Sequence, residues 1–111
     1  MNYVYNEPKK IDKSEFLEAI VSGRETLMCD AIVRAVHFID DYDWLLREFT
    51  SLLEYPNMEV RGVTVTCIGH LARLNENAKK DDLLVILEPL LSDSDLAGRV
   101  EDAIDDVNAF L

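Results

Sequence analysis

The chain has 111 residues, about half of them apolar, with 22 acidic side chains against 11 basic ones and a net charge of −11. That length suits one domain over residues 1–111, with a hydrophobic core that needs no covalent staples, and the composition excludes a disordered chain. The charge argues against nucleic acid and against an anionic membrane surface as direct ligands, because both repel it.

Residues 1–13 are expected to form an extended N-terminal segment. The opening MNYVYNEPKKIDKSEF has no apolar stretch after its positive charges, so it does not read as a secretory signal. No apolar run approaches the roughly 20 residues that span a bilayer, and the expected address is cytoplasmic. Ser14 can cap a first helix with Phe16, Leu17, Ile20 and Val21 on its apolar face, ending at Gly23. A second helix runs from about Glu25 to Phe38 and buries Leu27, Met28, Ala31, Ile32, Ala35 and Val36. In the loop IDDYD, Asp43 is placed to cap a third helix carrying Trp44, Leu45, Phe49, Leu52 and Leu53.

YPN breaks that helix, and a fourth spans about Met58 to Leu74. Within it VTVTC alternates like a strand, but Val60, Val63, Cys67, Leu71 and Leu74 continue one helical stripe. Gly62 and Gly69 each weaken a helix by about 1 kcal/mol relative to alanine, which makes sense where a neighbouring helix approaches closely. After the polar connector NENAKK, a fifth helix begins at Asp81 or Asp82 with Leu83, Leu84, Ile86, Leu87, Leu90 and Leu91, and contains Pro89. SDSD precedes a sixth, which buries Leu96, Val100, Ala103, Ile104, Val107 and Phe110.

Six helices with short joints suggest helix pairs. Sliding the chain by 38 residues lays Leu45, Leu46, Phe49, Leu52 and Leu53 on Leu83, Leu84, Leu87, Leu90 and Leu91, and Arg61 on Arg99. A spacing near that value with two helices per unit predicts an all-α fold, an α-solenoid of about three helical hairpins. Pro89, SDSD and Arg99 resemble the HEAT pattern, as do YPN and Arg61 one unit earlier.

Catalytic constellations are sparse. Cys67 and His70 stand three apart on one helix and could share a metal, but the ligand set is incomplete and there is no HExxH or CxxC. Cys67 reads as a packed cysteine beside a hydrogen-bonding histidine. Glycine-rich phosphate loops are absent, since Gly23, Gly62, Gly69 and Gly98 stand alone. The reading is a non-enzyme with no metal and no cofactor.

Charge is the informative feature. Residues 81–111 hold nine carboxylates and one base, Arg99, whereas thirteen acids and ten bases precede them. A solubilising coat would be spread evenly, so this polarity points to a basic protein partner. In a solenoid the second helix of each pair lines the inner face, where partners dock. Helix four would present Thr66, His70 and Arg73 there, and helix six Glu101, Asp102 and Asp105, with Asp106 nearby. The expected partner-binding set is Asp40, Asp41, His70, Arg73, Glu101, Asp102, Asp105 and Asp106. A merely solvated cap is the plain alternative, but mixed glutamate and lysine would serve that purpose better than acids alone.

From Asp43 to Leu111 the blocks DW, VRG, CIGHLARL and EDAIDDVNAFL resemble a group of short bacterial HEAT-like proteins. Relatives in that group include immunity proteins of contact-dependent growth inhibition and similar toxin systems. The resemblance implies a chain that neutralises a cognate basic toxin domain, a nuclease by preference, through occlusion. A HEAT scaffold that organises a complex without inhibiting anything is the alternative. Residues 1–42 match nothing specific.

Overall fold

Apolar residues recurring at three- and four-residue spacings give each helix one face to bury, and the joints between them are too short for anything but neighbouring pairs. In a computed structural model, which describes residues 9–111, this pattern becomes six α-helices with no strand among those residues. They are α1 (Lys13–Val21), α2 (Glu25–Phe38), α3 (Tyr42–Leu52), α4 (Met58–Leu74), α5 (Lys80–Leu87) and α6 (Ala97–Phe110). α1 pairs with α2, α3 with α4 and α5 with α6, and α2, α4 and α6 stack side by side with α4 in the middle. The chain is an all-α, solenoid-like fold of three hairpins. Most of the N-terminal segment expected over residues 1–13 lies outside the described residues. Residues 9–12 precede the first helix without helical structure.

The central position of α4 explains its composition. Val60, Thr64, Val65, Cys67, Ile68, Leu71 and Ala72 are buried around most of its circumference, and VTVTC is helical throughout. The Thr64 hydroxyl donates to the Val60 carbonyl at 2.7 Å, so a polar group in the core keeps its partner. A Cβ on Gly69 would lie 2.8 Å from Ala103 Cα, and one on Gly62 would lie 3.0 Å from the Arg99 side chain. The glycines therefore serve the close approach of α4 and α6. Gly23, at φ +67°, ends α1 in the left-handed region.

Three local expectations need correction. Asp12, rather than Ser14, caps α1, accepting from Glu15 N at 2.8 Å. Asp41, rather than Asp43, caps α3, accepting from Trp44 N at 3.2 Å. A cap must precede the first helical residue with extended backbone, and Ser14 and Asp43 already lie inside the first turn. Pro89 does not continue α5. It has no N–H for the carbonyl four residues back, so Glu88–Ser92 tightens into a 3₁₀ segment.

Several apolar residues expected in buried faces are exposed: Leu17, Val21, Leu27, Leu74, Leu91 and Phe110. They lie on flanks or at helix ends beyond the reach of the neighbouring hairpin. Arg61 joins two hairpins, donating to the Leu53 carbonyl at 3.1 Å and to Asp93 Oδ2 at 2.9 Å. That pair and the adjacent Asp95 N–H hold the Asp93 carboxyl below the usual carboxylate range.

Candidate functional site

Helix α6 carries its carboxylates on the side turned away from the core. At about 100° per residue, Glu101, Asp105 and Asp102 fan across its outward half, and Asp106 follows at the α4 edge. Glu101, Asp102 and Asp105 are exposed, and among the described residues none has a cation within ion-pair distance. Asp106 faces α4, with Oδ2 3.8 Å from His70 Nδ1, too long for a hydrogen bond. Burial lowers the His70 pKa from its ordinary value, with Arg73 and His37 acting the same way and Asp106 opposing. Its Nδ1 is buried without a hydrogen-bond partner among the described residues. Arg73 is exposed in the last turn of α4, where a cation complements the helix dipole. The fold thus brings His70, Arg73 and Asp106 together, and leaves Glu101 and Asp105 on a different flank.

A second acidic surface lies around the start of α3. Asp41 is occupied structurally: besides capping α3 it accepts from Lys13 Nζ at 2.6 Å. The Lys13 hydrogen bond, followed by that from Trp44 N, holds its carboxyl below the usual range. Asp40 is exposed beside it. Asp40, Asp41, Asp43 and Asp82 surround a polar hollow of about 360 Å³ with Tyr42, Asn77 and Lys79. The Tyr42 hydroxyl donates to Asp82 Oδ2 at 3.0 Å and accepts from Lys79 N at 3.3 Å. Burial pushes this phenol up to about 12.

Asp43 and Asp82 are shared with an adjoining open groove of about 910 Å³ between α3 and α5. Leu46, Val85 and Ile86 form its apolar part, and Arg47, Thr50, Ser51 and Glu54 complete the lining. It exists because α4 and α6 pack closely at Gly69, whereas α3 and α5 stand apart. Val85 is 69% exposed. The groove is missing from the sequence-based site. Its signal is Val85, a β-branched apolar residue off the Leu83, Leu84 and Leu87 stripe.

Thiol chemistry has little support. Cys67 is buried, and desolvation pushes its thiol up to about 12, so it stays protonated at neutral pH. Among the described residues no three His, Cys, Asp or Glu side chains group as metal ligands. No helix there is long and apolar enough to cross a membrane.

Comparison with known proteins adds an informative likeness. No protein-family model matches the chain, and neither does any curated protein. The chain is similar to one in the crystal structure of a CDI complex from Cupriavidus taiwanensis LMG 19424, with 28% identity and a TM-score of 0.87. The alignment covers 98% of this chain and 98% of that one. The likeness extends over both chains end to end.

Proposed function

We propose that this chain is a cytoplasmic immunity protein of contact-dependent growth inhibition. It binds and neutralises a cognate basic toxin domain, a nuclease, by occlusion. The observation that carries this reading is the likeness, over 98% of each chain, to a chain of a CDI complex. The uncompensated carboxylates of α6 support a cationic partner. An inert, protonated Cys67 supports binding over chemistry.

In this reading Glu101, Asp102, Asp105 and Asp106, with Asp40, supply the attracting field. His70 and Arg73 form, with Asp106, an adjoining patch between α4 and α6, and Asp41 contributes through the α3 cap. The test is co-expression with the C-terminal toxin domain of any large secreted protein encoded beside this chain. Growth rescue and a stable 1:1 complex are expected. A chain that leaves the cells unprotected, while assembling with other proteins, would favour the scaffold alternative. A locus without such a neighbour counts against immunity as well.

A further inference from the structure

We propose that the α3–α5 groove is the surface that grips the partner, and that it takes a segment carrying an aliphatic side chain flanked by lysine or arginine. This rests on the immunity reading and adds where and by what chemistry contact is made. Stable interfaces pair a desolvated apolar centre with a polar rim. Helix α6 exposes Glu101, Asp102 and Asp105 in its middle turns and the apolar Phe110 only in its last turn, whereas the groove holds apolar and charged residues together. Val85, 69% exposed, lines it together with Leu46 and Ile86. Asp43, Glu54 and Asp82 rim the same groove, opposed by Arg47.

At one end the groove meets the hollow lined by Asp40, Asp41 and Lys79, so the acidic excess continues past α3. Charge complementarity therefore selects a basic occupant, and Val85 selects an aliphatic group on it. Parts of this rim are already fixed. Asp82 is held by Tyr42, and Asp41 by Lys13 and Trp44, so little ordering is left for binding. The division of labour follows: α6 speeds encounter, and the groove sets how long the complex lasts.

The experiment measures dissociation of the purified protein from the C-terminal toxin domain of any large secreted protein encoded beside it. Val85→Arg combined with Asp43→Lys alters two exposed positions, so an unchanged circular dichroism spectrum and thermal midpoint should confirm folding. Dissociation should accelerate about 30-fold or more, as for a central contact. Glu101→Lys with Asp105→Lys should slow association and leave dissociation within about threefold. Val85→Glu should weaken binding less than Val85→Arg, since the occupant is basic. If the folded groove variant dissociates as slowly as wild type, the groove is not the contact. If Val85→Glu is the more damaging change, the occupant is not basic. Failure of wild type itself to bind the domain overturns the immunity reading, and this proposal with it.

Discussion

Gly69 and Gly98 both lie in helices, yet their environments differ in a way that sets opposite signs for the same substitution. A Cβ at position 69 meets Ala103 backbone at 2.8 Å, which cannot move without shifting α6. Gly69→Ala should therefore lose about 1–2 kcal/mol, overpacking outweighing the helix-propensity gain. Nothing lies within 4 Å of a Cβ at Gly98, so Gly98→Ala should gain about 0.5 kcal/mol. Urea midpoints of the two variants check both. His70 provides a pH prediction. Its pKa is lowered in the folded state, chiefly by burial, so the unfolded chain takes up the proton first. Stability should be highest above the ordinary value of 6.5 and should fall as pH drops through it toward the lowered folded value. Thermal midpoints of His70→Gln should lose that slope. Asp41 and Asp93, both lowered from 3.8, act in a separate window below that value. At this scale the sequence was legible for glycine packing and less so for caps, because Ser14 and Asp43 each lie two positions past the true caps, Asp12 and Asp41.

At the scale of the helix, α2 and α4 end where their periodicity and breakers place them, at Glu25–Phe38 and Met58–Leu74. α5 was harder to read. The leucine repeat persists through Leu90 and Leu91, and only the missing N–H of Pro89 ends it. α6 combines a buried stripe with an acidic exterior, and its acids do not help it fold. Glu101/Asp105 and Asp102/Asp106 are like-charge pairs one turn apart, and the last turn has no basic residue. Glu101 and Asp102 sit mid-helix, so the unfavourable dipole contact belongs to Asp105 and Asp106. Replacing all four with the corresponding amides should leave the fold intact and raise stability by about 1 kcal/mol in total. Chemical denaturation reads this directly. A loss of stability would instead make these carboxylates part of the fold's support.

For the whole molecule, stacking of the second and third hairpins was legible in the 38-residue repeat, and the first followed from its two short helical stripes, because each unit buries its face against the next. Where the surface converges was not. The groove joins residues of α3 and α5 some 40 positions apart, and its depth depends on how far those helices splay once α4 and α6 have closed at Gly69. Charge asymmetry, in contrast, survives folding unchanged in kind, since Glu101, Asp102 and Asp105 remain exposed with no cation within ion-pair distance among the described residues. If they act through their field, association of the wild-type protein with its toxin domain should slow steeply with added salt. Exposed charges are screened beyond about 8 Å at physiological ionic strength, while contacts within a docked groove are not. Dissociation should accordingly change little over the same salt range. The amide variant of α6 should associate slowly at low salt and show a flattened salt dependence, converging on wild type at high salt. An amide variant whose association matches wild type at low salt would show that the acids of α6 only solvate the end of the stack, with attraction arising from the rim of the groove.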